Sequence, residues 1–517
     1  MSGRRRSRFT RDVLTAFPLV LMALPGPARS LEGAPPAPPG AVAHPEEVRE
    51  CRWDGPMLLI DLPCALKLAR QNAFEILDQE TNVKGSLRHE KLAQQDFAVL
   101  ITPALTAVGS GSSTTTQGVS PAPPTETTTT DLYRGSLRLS KLFGIGTNVS
   151  VEPFYEFGSG GQASGVLAGL SQPLLRGVAP VYVQSNLDAA TSQVKVTGLS
   201  EIQTCLSTLL GVVDQLASLE ELQERHRLFS ESLLSMETKL TITEARERAG
   251  LASSLDVLRA KIERTNLRDL VASVSEQLGD ASDRLRFTLR LAPTLPIRGL
   301  VGPKDVVKPP EPGAETSGRL DVRIATENLS EARRQVRVNR HAILPDLNAA
   351  LTMAYRNADV TLTPGTVAPS GLTWAFSVSA SAEVRRAAER AAYQDSLDRV
   401  EVAARALVQT QERARDEIRS LGRQLDRLRK QEAIQREQIE QAASKLAIAE
   451  AKFRNGLASN FDFLEAETEL RNAQVALLSA QRDVVPAAHR LLNGTGLYEG
   501  WLKESYAVDC AASAAPR

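Results

Sequence analysis

Two segments of this 517-residue chain repeat each other, and the repeat limits its fold more than any other feature. Residues 239–260 read KLTITEARERAGLASSLDVLRA and residues 445–466 read KLAIAEAKFRNGLASNFDFLEA, identical at 13 of 22 positions without a gap. The shared centre is Gly-Leu-Ala-Ser, two variable residues and Asp, from Gly250 to Asp256 and from Gly456 to Asp462. Such a repeat points to one structural unit used twice. Length alone, at roughly 100–200 residues per domain, would predict three or four separate globular domains. The repeat replaces that count with two halves of similar plan.

Long helices flank both copies. Residues from about Val183 to Ala249 and from about Glu383 to Asn455 contain no proline and few glycines. Ile418, Leu421, Leu425, Leu428, Ile439, Ala442, Leu446, Ala449 and Phe453 keep a heptad rhythm, as do Leu222, His226, Phe229, Leu233, Met236 and Leu240. That spacing turns one apolar seam toward a partner helix. At 1.5 Å per residue each helix reaches on the order of 100 Å. Gly250 and Gly456 then mark hairpin tips, where a glycine follows a helix C-terminus. Ser253, and Ser459 or Asn460, supply N-caps for the returning helices. A shorter helix opens each half, at about Cys64–Leu100 and Arg319–His341. Summed lengths predict one long helix lying antiparallel to two short ones stacked end to end in each half. Composition agrees: hydrophobic residues are 42% but aromatics only 4%. Ala and Leu form helices well and fill narrow seams.

Between the first and second helix of each half the period changes to two. Ala104–Val108, Ser136–Ser140, Asn148–Phe157 and Gly165–Leu174 alternate in the first half, Asp346–Tyr355 and Trp374–Ser379 in the second. Alternation bounded by Pro, Gly and Ser is a strand signal. The expectation is about four strands per chain, with the hairpin at 134–157 as a possible addition and polar loops at 109–131 and 357–371. Four strands cannot close a barrel alone, and an open sheet edge in lipid leaves backbone groups unsatisfied. The strands must either be completed by further copies of the chain or form a small soluble cap on a coiled-coil stalk. Tyr155, Phe157, Tyr355, Trp374 and Phe376 suit either an aromatic girdle at a membrane boundary or ordinary sheet packing.

The expected boundaries are a signal peptide at 1–30, a Pro/Gly-rich leader at 31–56, a first repeat at 57–291, a linker at 292–318, a second repeat at 319–496 and a tail at 497–517. The signal rests on five arginines between Arg4 and Arg11, an apolar Val13–Leu24 and small residues at Ala28 and Ser30. A dozen apolar residues fall short of the roughly 20 a spanning helix needs. An exported chain meets an oxidising compartment, so Cys51 and Cys64 are candidates to pair. Four cysteines leave the connectivity open.

Equal counts of 61 basic and 61 acidic residues argue against a nucleic-acid partner, and the mixed signs of 411–440 mark a solvated helix face. Five scattered histidines show no ligand spacing, and no Ser/His/Asp or Cys/His arrangement stands out. No enzyme site, metal or cofactor is expected. Two functions remain: a passive export duct, or an exported stalk or adhesin with small β-caps.

Four stretches carry a family resemblance over residues 57–496. They are Ala451–Ala466, the following run with Leu470, Asn472, Ala473, Leu477, Ala480, Leu491 and Leu492 up to Gly494 and Gly496, Arg319–Val322 continuing to Leu344–Leu347, and Ser171–Gly177. Together and in this order the chain resembles the TolC-like outer-membrane efflux proteins. The resemblance implies a mainly α fold with β-strands: a coiled-coil helical tunnel in the periplasm below a trimeric, twelve-stranded outer-membrane barrel. It implies a periplasmic adaptor protein and an inner-membrane pump as partners of the homotrimer, in a tripartite efflux or type I secretion system. It places Asp256, Asp462 and Glu465 at the periplasmic entrance, with Arg259 where the repeat mate of Glu465 would stand. Adaptor contact would fall on Gly250, Leu251, Ala252 and Ser253 and on Gly456, Leu457, Ala458 and Ser459. A carboxylate in a first helical turn is also stabilised by the helix dipole, by about 0.3–1 kcal/mol, whatever its function. Where some relatives close the entrance with a Tyr and an Arg, this chain has Phe453 and Ala458. Arg246, Arg248 and Arg454 are the expected substitutes.

Overall fold

The computed structural model describes residues 51–115, 125–158, 161–250, 252–301, 318–359, 371–382, 385–455, 457 and 459–511. The expected signal peptide and leader residues 31–50 lie outside them. The end of the expected leader belongs to the fold: Arg52–Asp54 form β1, which turns at Gly55 into β2 (Met57–Asp61). Asp61 then caps α1 (Leu62–Asn72), its carboxylate accepting the Cys64 N–H at 3.1 Å. An extended Ala73 separates α1 from α2 (Phe74–Gln95), so the first short helix is two pieces.

Four strands follow: β3 (Val99–Thr115), β4 (Thr125–Leu142), β5 (Asn148–Gly158) and β6 (Gly161–Pro173). One turn, α3 (Pro180–Val183), leads into α4 (Ser185–Arg248), and α5 (Ser254–Leu289) returns. β7 (Ile297–Leu300) lies inside the expected linker and pairs parallel with β2. The second half comprises α6 (Leu320–Ala342), β8 (Asp346–Asp359), β9 (Gly371–Ser381), α7 (Ala387–Arg454) and α8 (Asn460–Gly494). The expected tail begins with α9 (Tyr498–Tyr506). Both halves keep the expected helical plan. α4 packs along α2 and α5, and α7 along α6 and α8.

The strand count differs from the expectation. One antiparallel sheet has six strands in the order β3-β4-β5-β6-β8-β9, four from the first half and two from the second. The expected four-strand set is enlarged by the 134–157 hairpin, which pairs in full with both its neighbours. The reason is its alternation: Val151, Pro153, Tyr155 and Phe157 lie on one side of β5, Glu152, Phe154 and Glu156 on the other. β3 and β4 also run far into the expected 109–131 loop, of which 116–124 lie outside the described residues.

Register extends these two faces across the whole sheet. Leu105, Leu137, Val151, Val166, Tyr355 and Trp374 share the apolar face with the other expected girdle aromatics. The other face carries mostly Ser, Thr, Gly, Ala, Arg and Glu. This is the pattern of a wall with lipid on one side and water on the other. Among the described residues only α4 is a helix long and apolar enough to span a membrane, and half of its apolar window is buried against other elements.

The main core lies midway along the helices. Leu58 and Ile60 of β2, Leu66 of α1, and Leu209, Leu216 and Leu219 of α4 are at most 1% exposed there. Both disulfides join this core: Cys51–Cys64, and Cys205–Cys510 across 305 residues of sequence. The second ties the C-terminal segment to α4. Tyr498 of α9 is fully buried, its hydroxyl 3.1 Å from His489 Nδ1, and burial pushes its pKa up. Along the hairpins the core thins to seam clusters such as Leu222, Phe229 and Val274, matching the heptad reading.

Candidate channel entrance at the hairpin tips

The two tips repeat each other down to their hydrogen bonds. α4 ends at Arg248, and Gly250 takes φ +69°, which a side chain would strain. Ser253 then caps α5. Its Oγ accepts the Asp256 N–H at 3.2 Å, while Asp256 Oδ2 accepts from Ser253 Oγ at 2.8 Å and from its N–H at 3.1 Å. At the second tip Ser459 and Asp462 make the same three bonds at 3.3, 2.8 and 2.9 Å. Each reciprocal pair is a capping box, which satisfies helix-end donors at both partners. Leu251, Gly456 and Ala458 lie outside the described residues.

The sequence-predicted acids therefore have a local task. Both bonds to each carboxylate fall on Oδ2, leaving Oδ1 with no hydrogen bond from the described residues. The Ser459 hydroxyl, then its N–H, hold the Asp462 pKa below the usual carboxylate range. Glu465 stands 3.9 Å from Lys445 Nζ, whose closer partner is Glu469. Leu457 is 78% exposed at the end of the second hairpin, and Leu255 and Leu258 are exposed beside the first.

Behind the tips an aromatic cluster braces one hairpin against the other. Phe453 of α7 stacks on Phe463 of α8 with centroids 5.7 Å apart. Arg246 of α4 lies over Phe453 at 5.0 Å, and Lys239 Nζ lies over Phe463 at 4.7 Å. Arg259 of α5 covers Phe461 at 5.0 Å. Each cation–π contact contributes about 0.5–1 kcal/mol at an exposed site. Lys239 also meets Glu467 at 2.6 Å. Of the three arginines expected to substitute for the absent Tyr/Arg pair, only Arg246 crosses between hairpins. Arg248 bonds the Glu244 carbonyl and Arg454 bonds Glu450, both on their own helices. Lys239, Phe461 and Phe463 were not singled out from sequence. Their signal was a register in which bases of the first repeat face aromatics of the second. Among the described residues no group of three His, Cys, Asp or Glu is placed to hold a metal.

A duplicated helical hairpin and an amphipathic sheet with open edges suit an outer-membrane channel subunit, and comparison with known proteins agrees. The profile of the family described as "Outer membrane efflux protein" matches residues 66–289 and 314–497, most of the chain. The chain belongs to this family and is an outer-membrane efflux channel, not an enzyme. The family is one of trimeric channels in efflux systems, which sets aside the stalk or adhesin reading. Pyoverdine export outer membrane protein OpmQ of Pseudomonas aeruginosa is 25% identical over 336 residues, 62% of this chain and 67% of OpmQ. The outer membrane protein VceC of Vibrio cholerae has the same fold, with a TM-score of 0.63 at 16% identity, covering 84% of this chain and 96% of VceC. The open-state MtrE channel of Neisseria gonorrhoeae also scores 0.63, at 17% identity over 84% of this chain and 88% of MtrE.

Proposed function

We propose that three copies of the chain form the passive outer duct of a tripartite efflux or type I secretion machine, with the hairpin tips as its periplasmic entrance. In this reading Asp256, Asp462 and Glu465 ring the opening and attract cations. The exposed residues of both tips, Ser253 and Leu457 among them, and the half-buried Ala252 meet a periplasmic adaptor protein coupled to an inner-membrane pump. The aromatic brace around Phe453 fastens the resting tip where some relatives use a Tyr and an Arg. The observation that carries the reading is the pair of matched carboxylates at the far end from the sheet, Asp462 exposed and Asp256 half-buried, each with one oxygen turned from its cap. The pump supplies the energy, since the duct has no reaction to draw on.

Planar-bilayer recording tests it. Asn in place of Asp at 256 and 462 keeps an acceptor for the serine N–H but removes the charge. Asp256→Asn with Asp462→Asn is expected to weaken divalent-cation block several-fold at unchanged trimer stability. Phe453→Ala is expected to raise resting conductance. Unchanged block and conductance would remove the tips from the entrance.

A further inference from the structure

The inserted hairpin, β4 and β5, occupies the middle of one wall. β3 and β6 flank it, and both of its strands are paired along most of their length. Its apolar side carries Leu137, Leu139, Val151 and Tyr155 outward with the rest of the sheet. Its polar side carries a network of charge. Arg134 bridges Glu152 at 3.0 Å and Glu156 at 3.2 Å, and Arg138 meets Glu152 at 2.7 Å. Arg356 of β8 reaches across β6 to Glu156 at 2.9 Å. Gly165 of β6 lies in its path, and a Cβ there would stand 2.3 Å from the Tyr355 carbonyl and 2.7 Å from the Phe154 ring. The hairpin is thus tied by charge to a strand of the second half. Glu152 and Glu156 are buried beneath arginines that stay partly exposed, and charged groups so exposed need water or protein around them, which lipid does not offer.

The outer edges of the sheet are β3 and β9. The strands alternate in direction along the sheet, so β9 of one copy runs antiparallel to β3 of the next. Along β9 almost every residue is exposed on both faces. Unsatisfied edges cannot face lipid, and an antiparallel neighbour with the same apolar-out alternation satisfies them.

We infer that this chain builds a wider outer-membrane pore than the twelve-stranded barrel of the resemblance: eighteen strands, closed by β9 of each copy on β3 of the next, with the Arg/Glu network of the inserted hairpin lining the water-filled lumen. The count rests on the trimeric reading, three copies of a six-stranded sheet. Barrel diameter grows roughly linearly with strand number, so the lumen is about half as wide again. Adding a whole hairpin preserves the alternation of strand direction, which lets the barrel grow without altering its other strands.

Single-cysteine labelling in proteoliposomes tests the hairpin's place independently of subunit number. The four native cysteines are paired, so the background is quiet. A fluorophore on Leu137→Cys or Val151→Cys is expected to be quenched by brominated acyl chains, while Ser140→Cys is quenched only by a water-soluble agent. Aqueous quenching at all three sites would place the hairpin outside the wall and overturn the inference. For the seam, Ser377→Cys is combined in turn with Thr102→Cys, Ala104→Cys, Thr106→Cys and Val108→Cys and oxidised. A disulfide ladder ending at three subunits supports eighteen strands. No ladder from any pair overturns the β9–β3 closure, and a ladder ending elsewhere overturns the count while leaving the hairpin in the wall.

Discussion

The two halves of this channel subunit agree in their helices and disagree in their strands. The hairpin tips match bond for bond, with Ser253 and Asp256 mirrored by Ser459 and Asp462. The sheet takes four strands from the first half and two from the second. The difference follows from how each element tolerates change. A coiled-coil hairpin must keep its seam in register along its whole length, so an insertion disturbs every later contact. An antiparallel sheet accepts a complete hairpin between two strands, because direction and inside–outside alternation resume afterwards. Duplication is therefore retained where geometry is long and periodic, and lost where it is modular.

The largest break in this comparison should come from the bond that joins α4 to the C-terminal segment. Removing Cys205–Cys510 by a double serine substitution opens a 305-residue loop and is expected to cost about 6 kcal/mol by chain entropy, against about 3 kcal/mol for the 13-residue Cys51–Cys64 loop. Thermal unfolding of the two variants in detergent would rank them, and equal losses would contradict a clamping role for the long bond.

A smaller effect is expected where the halves meet in the sheet. Gly165→Val puts a branched side chain against the Tyr355 carbonyl and Phe154, and overpacking of this kind costs about 1–3 kcal/mol. A heat-modifiability gel should show the trimer dissociating at lower temperature. Gly55→Ala has open space around it and strains only its own positive φ. It should leave that temperature close to wild type.

The smallest effects sharpen the comparison at the tips. Ser253→Ala and Ser459→Ala each remove one N-cap, worth typically about 1 kcal/mol. Equal losses would confirm that the duplication extends to energetics. Asp462 has its pKa depressed in the folded tip, so its contribution is present above the unfolded pKa and fades as pH falls through the lower folded value. Divalent block from this residue should accordingly persist into acid below the ordinary carboxylate range. Block that vanishes within that range would show that the Ser459 bonds do not hold its charge.

Much of the helical frame was legible from the amino-acid sequence. Glycine at 250 and 456, serine three residues later and the heptad leucines are local signals, and helices obey local rules. The acids at 256 and 462 were legible as well, although their capping bonds explain the pattern before any transport role does. The brace was only half legible. Arg246 stood out as a base near the tip, but its partner Phe453 lies 207 residues away on another hairpin. Lys239 and Phe463 meet for the same reason, through packing of α4 on α8.

By itself the sequence determined a duplicated pair of long hairpins, capped tips and segments of alternating polarity, because each rests on local spacing along the chain. Only the tertiary structure decided which cysteines pair, that the 134–157 hairpin stands inside the sheet, and that Arg356 reaches Glu156 over a glycine. Those outcomes depend on which distant segments become neighbours, and side-chain periodicity gives a strand its faces without naming the strand beside it.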